Sequence, residues 1–181
     1  MSGGHGVDHG DNKKVGLFIS ILALFLAVVH IMGQKAQTQT IQSNIEASNL
    51  WSFFQAKTIR RTVLETAADE LETSLLTIKD PAAEKAIKDR LEKFRANAKR
   101  YRSEPSTGEG SEELAKRAAA AELIRDKAGK KHFRFELASG ALQIAIVLAP
   151  AAVITGVMAL MWAAGGLGIV GVGLLLAGLM A

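Results

Sequence analysis

Cysteine is absent from the 181-residue sequence. A disulfide framework, a thiolate metal site, a thiol nucleophile and dithiol redox chemistry are therefore excluded. Proline is scarce as well, and only Pro81, Pro105 and Pro150 can break a helix by removing a backbone donor. Aromatic residues make up 6% of the chain, and 22 Lys and Arg against 18 Asp and Glu leave a net charge of only +4. Arg60, Arg61, Lys99, Arg100 and Arg102 are mixed with carboxylates and do not form the dense, aromatic-laced basic face of a nucleic-acid binder. A Walker loop, a G-x-S-x-G motif and a glycine fingerprint between strand and helix are all missing, so no enzyme and no cofactor are expected. The longest absence is of charge: residues 137–181 contain no Asp, Glu, Lys or Arg.

Apolar length takes the place of that charge. Residues 15–32 form an uncharged run at the lower end of the roughly 17–25 residues that cross a bilayer as a helix. The run is longer than a signal-peptide core and lacks a small-residue cleavage pattern before Gln34-Lys35, so 15–33 reads as a retained transmembrane helix. Residues 137–181 have about twice the length one span needs and predict a hairpin with spans at 138–157 and 163–181. Its turn is expected near Met161, Trp162 and the Gly165-Gly166 pair, with Trp162 at the membrane interface. Pro150 should kink the second span near Ile146.

Small residues recur at helical spacing in each span. They are Gly16, Ser20, Ala23 and Ala27 in the first, Ala138, Ala141, Ala145, Ala149, Ala152 and Gly156 in the second, and Ala164, Gly168, Gly171, Gly173 and Ala177 in the third. Lipid offers no hydrophobic drive for helix association, so such smooth faces predict close backbone approach, within one chain or between chains.

Between the spans, residues 34–136 show no strand-like alternation and are mostly good helix formers. Helices are expected at about 35–79, 82–102 and 112–135, with a loop at 103–111. Asp80-Pro81 is a cap followed by proline, and Glu112-Glu113 after Ser111 suit the first turn of a helix. Gly33 alone separates the first of these helices from the span, and one interior glycine costs only about 1 kcal/mol. Leu50, Phe54, Lys57, Arg61, Leu64, Ala68, Leu71, Leu75 and Ile78 follow a four-three spacing that predicts a coiled-coil-like seam. Lys57 and Arg61 interrupt it, either because carboxylates arrive there or because the seam drifts. Ile87, Leu91, Phe94, Ala98 and Tyr101, and then Leu114, Ala118, Ala121, Ile124 and Ala128, give two further amphipathic faces. The fold class is therefore an all-α membrane protein, with three transmembrane helices and an extramembrane helical hairpin or small bundle between the first and second.

Candidate chemistry is sparse. His30 falls within a turn of the first span's end, where its ring reaches headgroups, and Gln143 is a lone amide suited to an interhelical hydrogen bond; the pair are the possible intramembrane polar groups. Lys130, Lys131 and Arg134 precede the second span and would meet anionic headgroups on a cytoplasmic face. His5, Asp8, His9 and Asp11 carry metal-ligand chemistry, but they lie in a glycine-rich segment without apolar periodicity. Residues 1–14 are read as a disordered polar tail, and no preformed metal centre is assigned.

The stretch Ala47-Ser48-Asn49-Leu50-Trp51-Ser52-Phe53-Phe54-Gln55-Ala56-Lys57 resembles the A-S-x-x-W-x-x-x-Q-A-K signature of a bacterial membrane family known as domain of unknown function 4337. The resemblance runs end to end: a His-bearing tail, one span, a charged helical middle, and a run like Leu142-Gln143-Ile144-Ala145-Ile146-Val147-Leu148 before a closing hairpin. It marks Trp51, Phe54, Gln55 and Lys57 as signature residues and carries no established activity. Relatives often hold basic residues in the final turn, which this sequence lacks. Lys35, Arg125, Lys127, Lys130, Lys131 and Arg134 flank the middle domain against Lys13 and Lys14 outside it, which favours a cytoplasmic domain; long loops weigh little in that rule, and the side stays undecided.

The functional expectation is an uncharacterised, multi-pass protein of the bacterial inner membrane. It would be a non-enzymatic scaffold or interaction protein acting through its helical domain, with membrane lipids, a second copy or another membrane protein as partners and no nucleic acid. The alternatives are an accessory subunit of a transport or channel system using His30 and Gln143, and a metal-responsive protein using the His/Asp tail.

Overall fold

The computed structural model describes the backbone of residues 9–180 and the side chains of residues 13–180. It contains four helices, α1 (His9–Leu75), α2 (Pro81–Arg102), α3 (Ser111–Thr155) and α4 (Met158–Leu179), and no strand among the described residues. Of these, α1, α3 and α4 are long and apolar enough to cross a membrane.

The helix ends follow local chemistry. Asp80 caps α2 by accepting from the backbone N–H groups of Ala82 and Ala83, each at 3.2 Å, and Pro81 occupies the first turn, where a missing donor costs nothing. The first helix passes through Gly33 without a break and ends at Leu75, short of the expected 79. At its other end it already includes residues 9–14, expected to belong to a disordered polar tail. Residues 136–137, expected to separate two helices, lie inside α3, since neither proline nor a left-handed glycine interrupts them. Pro150 is also inside α3.

The hairpin turn lies at Gly156-Val157, before the expected 161–166. Gly156 adopts φ +68°, the left-handed conformation that ends a helix at low cost only for glycine. Gly165 and Gly166 are ordinary helical residues of α4 with open space around them.

The chain divides into two compact units. The first comprises residues up to Ile41 and from Asp126 onward, and is a packing of α1, α3 and α4. Leu22, Val29, Ala36, Phe135, Ala138, Leu142, Ala145 and Leu175 form its buried core. The small residues of α3 and α4 face that core at Ala138, Ala145, Ala149, Ala152, Ala164, Gly168 and Gly171. Gly16, Ser20, Ala23 and Ala27 do not; all four are exposed because Leu22 and Val29 take the inward positions of α1.

The second unit, Gln42–Arg125, holds α2 with the adjoining stretches of α1 and α3. Ala47, Leu50, Leu114, Ala118 and Ala121 form its buried core, with Trp51 and Phe54 packed against it. Arg95 of α2 pairs with Glu72 of α1 at 2.5 Å. The predicted seam faces inward: Leu50, Lys57 and Ala68 are buried, and Phe54, Arg61, Leu64, Leu71, Leu75 and Ile78 are half-buried. On α3 the expected Ile124 is exposed, and half-buried Arg125 holds the inward position, because a four-three repeat from Ala118 and Ala121 reaches 125 and not 124.

Candidate functional site

Three of the four signature residues have side-chain partners within the second unit. Trp51 Nε1 donates to Glu122 Oε1 at 3.1 Å, and the indole meets the Phe54 ring edge to face with centroids 5.4 Å apart. Lys57 is buried at 7% exposure. Its Nζ lies 5.2 Å from the Phe53 centroid, 5.4 Å from the Tyr101 centroid and 3.6 Å from Glu109 Oε2. The ammonium thus leaves water for two aromatic faces and one carboxylate, which offset its desolvation. Gln55 remains on the exposed flank. Arg61, the second interruption of the seam, approaches Glu65 Oε1 only to 3.7 Å, and its Nε is buried without a hydrogen-bond partner.

The connection from α2 to α3 is tied down at both ends. Ser103 Oγ donates to Glu113 Oε1 at 2.7 Å and the Glu104 N–H donates to Glu113 Oε2 at 3.1 Å. The Ser103 hydroxyl first, and the Glu104 amide second, hold the Glu113 carboxyl below its ordinary value. Arg102 Nε donates to Glu112 at 2.9 Å. The acidic pair that reads in sequence as first-turn charges therefore joins the loop to the helix. Gly108 in this loop has φ +68°.

A second cluster lies in the first unit, where α1 and α3 border a recess of about 350 Å³. His30, Gln34, His132, Glu136, Ser139 and Gln143 supply its polar lining. His132 Nδ1 is 3.2 Å from the Gly33 carbonyl oxygen and its Nε2 is 3.3 Å from Glu136 Oε1. A carbonyl can only accept, so Nδ1 carries the proton of that hydrogen bond. Gln143 donates to Ser139 Oγ at 3.0 Å, a bond within α3 where an interhelical one was expected.

The structure thus brings together the two polar residues singled out in the spans, His30 and Gln143, and adds His132 and Glu136. A signal for them was present. His132, Glu136, Ser139 and Gln143 recur at spacings of four, three and four, and His30, Gln34 and Gln37 at four and three, which places each set on one helix face. Arg134, expected to meet headgroups with Lys130 and Lys131, donates from Nη1 to the Ala177 carbonyl at 3.0 Å, near the C-terminal end of α4. Lys130 is exposed and Lys131 half-buried. The candidate metal ligands His5, Asp8, His9 and Asp11 have side chains outside the described residues, and among the described residues no three His, Asp or Glu form a metal-binding group.

The model of the family Domain of unknown function (DUF4337) matches residues 11–181. No curated protein and no solved structure matches the chain.

Proposed function

The chain belongs to the DUF4337 family across residues 11–181, and from that premise we propose that it is a non-enzymatic membrane scaffold whose second unit associates with another copy of itself. One observation carries this reading: Ile59 and Val63, one turn apart on α1 in the charged unit, are 63% and 60% exposed. Ile45, two heptads before Ile59, is exposed as well. A charged helix that leaves apolar residues uncovered at heptad spacing has the pattern of a coiled-coil face awaiting a partner helix. In the first unit, the outward Gly16, Ser20, Ala23 and Ala27 stripe of α1 supports the same reading, because small residues let membrane helices approach one another. In this scheme α1, α3 and α4 anchor the protein as a multi-pass protein of the bacterial inner membrane, and residues 42–125 work in water on one side of it.

The cysteine-free chain makes the test direct. An Ile59→Cys variant treated in native membranes with a short bifunctional maleimide should give a crosslinked dimer, and Ile59→Lys with Val63→Lys should abolish the larger species in detergent sedimentation. A chain that stays monomeric at every concentration and gives no crosslink would remove the reading.

A further inference from the structure

The recess in the first unit has a chemistry that self-association does not use. We infer that it binds the headgroup of a zwitterionic phospholipid bearing a primary ammonium, with the ammonium on Glu136 and the phosphate on the side of His30 and the glutamine amides. This rests on the reading that α1 and α3 cross a bilayer.

Position is the first argument. The uncharged run of α1 ends at Gln34, before Lys35, and that of α3 begins at Leu137, while the recess is lined by residues between 29 and 37 on α1 and between 132 and 143 on α3. It therefore straddles the boundary between apolar and charged sequence on both helices, which in a bilayer is the level of the headgroups.

Charge is the second argument. The lining holds one carboxylate, two imidazoles, amides and a hydroxyl, and no lysine or arginine. An anionic headgroup would be opposed by Glu136 with no fixed cation to hold it. A zwitterion reverses the balance, because its ammonium meets the carboxylate while its phosphate accepts from imidazole and amide N–H groups. Glu136 has the capacity: its Oε1 lies 3.3 Å from His132 Nε2, and its side chain is 63% exposed. A primary ammonium supplies three N–H donors to such an acceptor, and a quaternary one supplies none.

Space is the third argument. About 350 Å³ is within the range of small-ligand sites. The recess borders Gly140, where a Cβ would meet nothing within 4 Å, so that side has space. Ile31 of α1 and Leu137 and Ile144 of α3 are exposed apolar residues of the same helices, available to acyl chains.

The test uses the full chain, purified in detergent and loaded with defined lipids, with retained lipid counted by native mass spectrometry. Phosphatidylethanolamine should be retained about tenfold more tightly than phosphatidylglycerol, with phosphatidylcholine also weak. Glu136→Gln should erase the preference. Gly140→Leu, whose Cβ would meet nothing within 4 Å and whose side chain would occupy the recess, should abolish retention while the protein keeps its helical content and thermal unfolding. Equal retention of the three lipids, or retention unchanged in both variants, would overturn the assignment. Glycerophosphoethanolamine provides the soluble arm: binding as tight as that of the full lipid would mean that the occupant is a soluble phosphoamine and would overturn the lipid assignment too. Carbonate extraction of membranes separates this result from the premise. A chain released by carbonate defeats the membrane reading itself, whereas a chain that stays embedded but does not discriminate defeats only the headgroup site.

Discussion

Leu142 of α3 occupies the space that a side chain on Gly171 of α4 would need: a Cβ on Gly171 would stand 2.7 Å from Leu142 Cγ and 3.2 Å from the Ala138 carbonyl oxygen. The same relationship recurs one heptad on, where a Cβ on Gly178 would stand 2.6 Å from Phe135 Cε1. These glycines serve closeness, with helical backbones that any residue adopts, and they let α4 approach α3 within the first unit.

Gly171→Ala should therefore destabilise the protein. Overpacking costs about 1–3 kcal/mol, against a gain of about 1 kcal/mol in helix propensity. Gly173→Ala, where nothing lies within 4 Å, keeps only the gain and should be neutral or stabilising. Thermal unfolding of the two variants in the same detergent compares them, and equal behaviour would contradict the account of Gly171.

Lys57 presents a different balance, since its stem is packed and its ammonium faces Phe53, Tyr101 and Glu109. Lys57→Ala loses both parts and should cost about 2 kcal/mol. Lys57→Met keeps the stem, and because the Glu109 side chain is 50% exposed its pairing is screened, so the loss should stay near 1 kcal/mol or below. Urea unfolding followed by Trp51 emission, in a Trp162→Phe background, measures both. Equal losses would mean that the charge and not the stem carries the site.

The helix start at Asp80-Pro81 and the inward seam from Leu50 to Ile78 were legible because each rests on a local rule, a cap geometry or a repeat. The hairpin turn was not. A sequence shows glycines alike, whereas Gly156 supplies a left-handed φ, Gly171 supplies closeness, and Gly165 and Gly166 supply neither. Ile124 suits an inward position by its side chain, yet the repeat passes through Arg125, whose Nη1 reaches Asn44 Oδ1 at 3.5 Å. At Lys57 the arriving carboxylate was foreseeable, but its source in the α2–α3 loop depends on where that loop folds. Neither His30 nor Gln143 taken singly signals the polar recess, because its signal is the joint spacing of the polar faces of α1 and α3.

Glu113 predicts an acid-labile loop. Its folded value lies below the ordinary one, through the hydrogen bonds from Ser103 and Glu104, so the unfolded chain takes up a proton first as the pH falls. The stabilisation is complete above the unfolded carboxylate value and is lost as the pH falls through the lowered folded value. Wild-type protein should therefore lose more thermal stability between neutral and acid pH than Glu113→Gln does, and Ser103→Ala should show an intermediate slope. Parallel profiles for all three would refute the coupling.

The two tryptophans provide an internal test of the membrane reading. Trp162 on α4 is 79% exposed within the protein, while the half-buried Trp51 is bonded to Glu122 in the charged unit. Exposure of an indole on an apolar helix is costly in water but favourable at a bilayer interface, where its N–H meets headgroups and its ring meets chains. In vesicles containing brominated phospholipid, emission from Trp51→Phe, which reports Trp162 alone, should be strongly quenched. Emission from Trp162→Phe, which reports Trp51, should be quenched little. Aqueous iodide should act weakly on Trp162, whose exposed face would be turned to lipid. Trp162 quenched by iodide and untouched by brominated chains would place α4 in water and leave its apolar face to be covered by protein.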